Sequence, residues 1–559
     1  MKRKWLSRVS ATMLAGVMTT GMLAGCGDTQ NDVSSEKETK TTETNTVETE
    51  VTSTESARES EEITYPLTSG MSLSWFVRNN LDLLNDYLTY EESPFHSGLS
   101  EMTGVDIEWQ FFAQGADKTA AFNLLLQEEE LPNIISGYFS SDETSQMLED
   151  GLIYDLADYL PVYAPDYWEF ISAPENAPIL RETSADSGEI FGVAAVRESA
   201  FNVTYRGPVI RQDWLDECGL QEPVTLEDWE KVLVVFKEKY GAKLGFAMNR
   251  FSGGGISSGT GAFAVLSANY YIDENGKVQS ANVQAEWKEM LETMHRWYEM
   301  GLIDKDFATT KDADVRAKVL NNEIGVSFTA MSQLTNWIAD AEAENTGAKW
   351  VGFEYARTAP GEPTNFIDIT YSLGNVNNAA LVTTSSTEEE LIEALKLLNY
   401  GFTEEGILYW NYGKEGVSYT LDANGEPQWT DLVKNDEGGL ERGAKRYAGA
   451  YNAPISIQLE SYVKSTKSEV ANEAVYKWIN NTEAQKYVLP STGKTADELS
   501  VYNDIKATIN TYVEEMALKF VTGDESLDNF DAFVKELDNK GLQDLLTIEQ
   551  AAYERFMAR

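Results

Sequence analysis

From Tyr65 onward the chain alternates between short apolar runs and longer stretches whose apolar residues recur at helical spacing. "SLSWFV" (Ser72–Val77), "GVDIEWQFFA" (Gly104–Ala113) and the Ile134-Ile135 pair of "LPNIISGYF" read as strands, because short β-rich runs bounded by Gly, Asn and Pro suit a buried pleated surface. Helical spacing lies between them, around Leu81–Tyr90 and from Asp117 to about Glu129. The order strand, helix, strand, helix, strand predicts an open α/β sheet. The alternation then returns. "GEIFGVAAV" reads as a strand or hairpin, and "KLGFAM" and "EIGVSF" (Glu323–Phe328) as strands. Thr225, with Asp228 three residues on, caps a helix whose Trp229, Val232, Leu233 and Phe236 share one face. "EWKEMLETMHRWYEMGLID" is a helix ended at Gly301, "QLTNWIADAEA" is another, and Thr387 starts one with Leu391, Ala394, Leu395 and Leu398 aligned. A body of this length exceeds one ordinary core, so two α/β lobes with a cleft between them are expected.

The first 64 residues have a different pattern. Lys2, Arg3, Lys4 and Arg8 precede an apolar run of small residues that ends in Leu23-Ala24-Gly25-Cys26. A charged start, a short apolar stretch and a Cys after small residues predict a lipoprotein signal peptide over residues 1–25, with Cys26 as the lipidated new N-terminus. Residues 26–64 are Ser, Thr and Glu with almost nothing apolar, a composition that cannot offset its ordering entropy and predicts a disordered tether. No later stretch is long and apolar enough to span a bilayer, so lipid alone is expected to hold the body at the outer face of the cytoplasmic membrane.

Composition narrows the chemistry. The formal net charge is −47, which disfavours nucleic acid as a partner. With Cys26 lipidated, Cys218 has no partner for a disulfide in the mature chain, and it reads as a small apolar helix residue. Only two histidines, His96 and His295, are present, so a multi-His metal centre is excluded. The glycine-rich "SGGGISSGTG" (Ser252–Gly261) lacks the Lys-Ser/Thr ending of a phosphate loop and reads as a loop at the cleft mouth. No nucleophile elbow is found. No enzymatic activity, cofactor or metal is expected.

The stretch "NYGKEGVSYTLDANGEPQW" (Asn411–Trp429) gathers glycine, aromatics, amides and carboxylates. Asp422-Ala423-Asn424-Gly425 between two β-prone arms predicts a hairpin turn with positive φ. The competing reading, a calcium loop, lacks the ligand spacing and terminal Glu that such a loop needs.

Taken in order, several segments resemble the extracellular solute-binding lipoproteins of bacterial ABC transporters, in the branch that takes up long carbohydrates. They are "LAGC", "LPNII" (with Asn133 where the family has Asp), "IRQDWLDECGLQEPVTLEDWEKVLVVFK", the Asn411–Trp429 stretch and the C-terminal "FVTGDESLDNFDAFVKELDNKGLQDLLTIEQAAYERF". The resemblance implies a two-lobe periplasmic-binding-protein-like fold (type II) with discontinuous lobes that close on an oligosaccharide. It also implies a monomer that delivers its ligand to permease subunits. A peptide or other small polar solute, or a surface polysaccharide bound without transport, are the alternatives. In that frame the N-terminal lobe is expected over 65–193 and 325–381, and the C-terminal lobe over 194–324 and 382–559. Hinges are expected near Ala194–Val196, Asn322–Val326 and Ala380–Thr383. Thirteen Trp and twenty-seven Tyr supply flat rings for sugar faces. Candidate ligand contacts at strand ends are Trp75, Tyr138, Asn249, Arg250, Trp337 and Tyr371.

Overall fold

A computed structural model describes residues 63–78, 92–112, 116–245, 270–364, 368–369, 378–452 and 455–559. Two units divide the chain, Met1–Glu61 and Glu62–Arg559, and every described residue belongs to the second. Its strands in chain order are β1 (Ser72–Val77), β2 (Asp106–Phe111), β3 (Ile134–Gly137), β4 (Val193–Ala194), β5 (Val196–Arg197), β6 (Thr204–Arg211), β7 (Lys243–Gly245), β8 (Tyr270–Ile272), β9 (Val278–Ser280), β10 (Ile324–Ala330), β11 (Trp350–Gly352), β12 (Asp368–Ile369), β13 (Ala379–Val382), β14 (Tyr419–Leu421), β15 (Pro427–Trp429) and β16 (Ile457–Gln458).

Two five-stranded sheets organise the molecule. The first runs β2-β1-β3-β13-β4, with β1 parallel to β2 and β3, and β13 inserted antiparallel between β3 and β4. Side-chain alternation gives this sheet two buried faces: Leu73, Trp75, Ile134, Ala380 and Val382 enter one core, while Phe76, Ile135, Ala379 and Leu381 enter another. The second sheet runs β11-β6-β10-β7, with β12 also paired to β6. It too is buried on both faces, with Ile210, Leu244 and Val326 in one core and Val209, Ile324, Phe328 and Trp350 in another.

The helices flanking these sheets start where local chemistry dictates. Thr225 and Asp228 form a capping box on the helix Leu226–Tyr240, which ends at Gly241 in the left-handed region and buries Trp229, Val232, Leu233 and Phe236. Thr387 and Glu390 do the same for Glu388–Tyr400. In the Leu-Pro-Asn motif, Asn133 Oδ1 accepts from the Ser74 N–H and hydroxyl at 2.9 Å, which pins β3 to β1. The predicted hairpin is present as β14 and β15, with Tyr419 opposite Trp429. Asp422 Oδ1 accepts the N–H groups of Asn424 and Glu426, and Gly425 takes φ 84°. Among the described residues no helix is long and apolar enough to cross a membrane.

The partition of the chain between the lobes differs from the sequence expectation. The strand β10, expected with 325–381 in the first lobe, lies between β6 and β7, antiparallel to one and parallel to the other. The following helix Met331–Ala343 packs in the same core through Met331, Leu334 and Trp337. Conversely, Glu388–Tyr400 and Glu404–Tyr412, expected in the second lobe, bury Leu391, Leu395, Tyr400 and Tyr409 against the first sheet. The chain therefore passes between the lobes at β5, between β12 and β13, and at β16. Two of these passages run side by side, because β5 and β16 form a parallel pair with Ile457 opposite Val196 and Gln458 opposite Arg197. Of the expected hinges, Ala194–Val196 falls on the first passage, whereas Asn322–Val326 lies at the start of β10 and Ala380–Thr383 at the end of β13.

Candidate functional site

The paired crossing strands are tied to both lobes by side chains that suit irregular backbone. Asn411, at the end of Glu404–Tyr412 and fully buried, donates to the Ile457 carbonyl at 2.8 Å and accepts the Leu459 N–H at 2.9 Å. Asn202 Nδ2 donates to the Gln458 carbonyl at 3.1 Å, and Gln458 Nε2 donates to the Ala450 carbonyl at 2.6 Å. Buried backbone without ladder partners needs such amides, which donate and accept at once.

Beside these strands is a cavity of about 140 Å³. The first passage contributes Arg197 and Asn202, the second sheet Thr204 and Tyr205 at the start of β6 and Met331 just past β10. The first lobe contributes Tyr451, and the last passage Gln458, Tyr462 and Lys467. The aromatic wall has a rigid backing: Tyr462 packs edge-on to Tyr412 and to Trp429 of the hairpin, with ring centroids 6.1 and 6.2 Å away. Burial pushes the Tyr462 phenol far up, so it is a neutral donor at any physiological pH. Lys467 Nζ lies 2.5 Å from Glu441, and Lys445 Nζ lies 3.0 Å from the other oxygen of the same carboxylate. Burial pushes the Glu441 carboxyl up, but these two ammonium groups outweigh it and hold the carboxyl below its usual range. Apolar rings, amides, hydroxyls and two buried cations in one cavity can grip a polar ligand that also presents apolar patches.

A second set of contacts joins the lobes away from this cavity. Ser141, at the start of a first-lobe helix, lies 3.0 Å from the Ser491 hydroxyl, and the Lys494 N–H donates to Asp142 at 2.7 Å. Asp186 receives Arg555 at 2.8 Å and Arg559 at 2.6 Å from the C-terminal helix Leu542–Ala558 and its end. That helix is anchored in the second lobe by Leu542 and Leu545.

The sequence-nominated contacts are scattered. Trp75 is 2% exposed; its indole donates to Ser136 Oγ at 2.7 Å, and its ring stacks on Trp109. Trp337 is 3% exposed and meets Trp350 edge-on at 5.3 Å. The nomination of these two rings is corrected: both lie on inward faces of their elements and serve as core. Tyr138 is different. It follows β3, is 39% exposed, and its carbonyl accepts from Arg78 at 2.5 Å. Arg78 is itself held by Glu143 at 2.6 Å and lies over the Phe122 ring at 4.0 Å. Asn249, Arg250, Tyr371 and the lipidation candidate Cys26 lie outside the described residues. Sequence reasoning missed Arg197, Asn202, Gln458 and Lys467. The one available signal was the proximity of Arg197 to the expected Ala194–Val196 hinge.

Two α/β lobes, strung on chain passages with a cavity beside the paired passage strands, define a two-lobed ligand-binding protein. Residues 91–407 match the family described as bacterial extracellular solute-binding protein, and the chain belongs to that family. Lipoprotein LipO of Bacillus subtilis (strain 168) is 25% identical, covering 98% of this chain and 97% of that protein. The fructooligosaccharide ABC transporter substrate-binding protein FusA of Streptococcus pneumoniae serotype 4 is 22% identical over 89% of this chain and 93% of its own. Among solved structures, the alginate-binding protein AlgQ2 without calcium ion superposes with a TM-score of 0.65 at 21% identity, covering 88% of this chain and 100% of that one. These structural likenesses are likenesses of fold.

Proposed function

We propose that this protein is a lipid-anchored receptor at the outer face of the cytoplasmic membrane that captures an oligosaccharide and passes it to the permease of an ABC transporter. The observation that carries the reading is the cavity beside β5 and β16, where residues of both lobes meet around rings, amides and hydroxyls. Pyranose rings have apolar faces edged by hydroxyls, and such a lining answers both. The family, and its relative FusA as a fructooligosaccharide-binding protein of an ABC transporter, favour a sugar as ligand and a transporter as partner. The Leu23–Cys26 box and the polar segment after it favour a lipid anchor, as does the name of LipO. Lobe closure about the passages is the motion that would present a loaded receptor to its permease.

A thermal-shift screen of oligosaccharides and short peptides tests the ligand, since a ligand bound to the native state raises apparent stability by mass action. Stabilisation by oligosaccharides and not by peptides is expected; the reverse overturns the reading. For the anchor, labelled palmitate is expected to enter the wild type and not Cys26→Ala. Equal incorporation would place the lipid elsewhere.

A further inference from the structure

Where the lobes meet away from the cavity, one carboxylate is poorly compensated. Ser140 caps the helix Ser141–Glu149 of the first lobe, and the first turn of that helix faces residues 491–494 of the second. The approach is close. Ser141 Oγ lies 3.0 Å from Ser491 Oγ, and a Cβ on Gly493 would stand 3.1 Å from Ser145 Oγ. Asp142, half-buried at this contact, accepts the Lys494 N–H at 2.7 Å and has no ion-pair partner among the described residues.

The charges around it are committed elsewhere. The Lys494 ammonium is buried, lies 3.1 Å from Glu549 Oε2, and donates to the Thr492 carbonyl and hydroxyl at 3.0 and 3.1 Å. Its three protons are thereby used. The other oxygen of Glu549 accepts from the Tyr502 hydroxyl, and Lys506 donates to that hydroxyl at 2.9 Å. Lys494, Glu549, Tyr502 and Lys506 thus form a chain within the second lobe. Burial pushes the Tyr502 and Tyr270 phenols far up, so neither is charged beside it. Arg555 and Arg559 are engaged by Asp186 and Glu498, and Glu143, on the same helix as Asp142, is engaged by Arg78.

When the lobes meet, Asp142 therefore gives up water for a single N–H, with the Glu549 carboxylate adding like charge. Burial is the largest influence on its carboxyl and raises it above its ordinary value; the Lys494 N–H and the ammonium charges of Lys494 and Lys506 oppose this only in part. A group whose pKa is higher with the lobes together than apart takes up a proton on closing. Closure is then favoured at low pH, and the advantage is lost as pH rises through the raised value.

We infer that the contact between Ser141–Glu149 and residues 491–494 is a pH-sensitive latch on lobe closure: Asp142 holds the lobes together more firmly when protonated, so an acidic medium biases the protein towards its closed form before any ligand arrives. The inference concerns the motion and needs no particular ligand.

The test is small-angle scattering of the ligand-free protein at about pH 7 and at about pH 4.5, the latter still above the ordinary aspartate value of about 3.9. Circular dichroism checks folding. Wild type is expected to have the smaller radius of gyration at the lower pH. Asp142→Asn keeps an acceptor for the Lys494 N–H and removes the charge; it is expected to be smaller than wild type at the higher pH and to lose most of the pH response. Gly493→Val sets a branched side chain against Ser145 Oγ; it is expected to be larger than wild type at the lower pH and unchanged by adding Asp142→Asn. If Gly493→Val fails to fold, wild type and Asp142→Asn carry the test. One radius for wild type at both pH values, an equal pH response in wild type and Asp142→Asn, or an Asp142→Asn more open than wild type at the higher pH would each overturn the latch. An effect of Asp142→Asn as large in the Gly493→Val background as in wild type would place the action of the carboxylate outside the lobe contact and overturn it too.

Discussion

Asn411 should be among the least replaceable polar residues of the first lobe. It is 0% exposed, and its three hydrogen bonds run to Ile407 O at 2.8 Å, Ile457 O at 2.8 Å and Leu459 N at 2.9 Å. Ile407 lies four residues back on the same helix and keeps its backbone partner after truncation. Ile457 and Leu459 are less fortunate. The ladder between the crossing strands uses the carbonyls of Ser456 and Gln458, so the Ile457 carbonyl and the Leu459 N–H depend on Asn411. Asn411→Ala orphans both, at roughly 1–3 kcal/mol for each buried group, so a loss of about 3 kcal/mol is expected. Asn411→Asp keeps the shape but sets a second acceptor against two carbonyls. Burial and those carbonyls raise the pKa of the new carboxyl above its unfolded value of about 3.9. A group with a raised folded pKa binds its proton more tightly when folded, so the deficit of Asn411→Asp is largest near neutrality and shrinks as pH falls. The bound on that recovery is about 1.4 kcal/mol per pH unit, or about 2.7 kcal/mol between pH 7 and 5. Asn411→Ala has no such dependence. Urea unfolding followed by tryptophan fluorescence at both pH values, with the m-value as a check on two-state behaviour, measures all of this. An Ala variant that loses less than about 1 kcal/mol, or an Asp deficit identical at the two pH values, would refute the role assigned to Asn411.

Three further outcomes are expected. His96 is fully buried between Phe95 and Trp109, and burial pulls its imidazole from 6.5 down to about 3; stability is therefore complete above pH 6.5 and falls towards pH 3, by about 2 kcal/mol at pH 5, and equal pH slopes for wild type and His96→Gln in urea unfolding would contradict this. Trp75→Ala should cost about 3–5 kcal/mol of folding stability as a core truncation, whereas Tyr138→Ala should stay within about 0.5 kcal/mol; comparable losses for the two in the same unfolding assay would mean that their placement is wrong. Asp186→Asn removes the carboxylate that joins Arg555 and Arg559 to the first lobe; because the Asp is partly exposed, no more than about 1 kcal/mol is at stake, but the ligand-free radius of gyration in small-angle scattering should rise, and an unchanged value would show that the contact does not restrain the lobes.

What was legible in the sequence was local. The boxes at Thr225 and Thr387 and the turn at Asp422–Gly425 are written in residues three or four apart, and the structure has them where the chain predicts them. Sheet membership is written nowhere so near. "EIGVSF" is apolar on both faces because Val326 enters one core and Ile324 and Phe328 another, and such a strand carries no mark of which sheet it joins. Its partners, β6 and β7, lie some eighty to one hundred and twenty residues earlier in the chain. The transfer of β10 to the second lobe follows from that missing information. Trp75 and Trp337 show a related ambiguity: a ring at a strand end or helix start is equally suited to a ligand face and to a core, and only the neighbours Trp109 and Trp350 decide.

The candidate site was harder still, because of where such proteins must place one. Residues that line a cavity at a lobe passage sit on strands of two residues and on a helix of a single turn, as Arg197, Gln458 and Asn202 do. Those segments are too short to set up any periodicity. Charge misleads in the same region: a net charge of −47 argues for a cationic or neutral ligand when it is averaged over the chain. Binding responds to the field inside a desolvated cavity, where Lys467 is ion-paired with Glu441 and the acidic surface is screened by water. Distant surface charge affects the rate at which a charged ligand arrives, and contacts inside the cavity affect how long any ligand stays. A neutral oligosaccharide should therefore associate and dissociate at rates that change little with salt. Stopped-flow fluorescence with a neutral oligosaccharide identified by the thermal-shift screen, at two salt concentrations, measures both rates. A dissociation rate that rises steeply with salt would mean that the ligand is held by charged groups at the solvent-exposed surface, outside the cavity at the lobe passages.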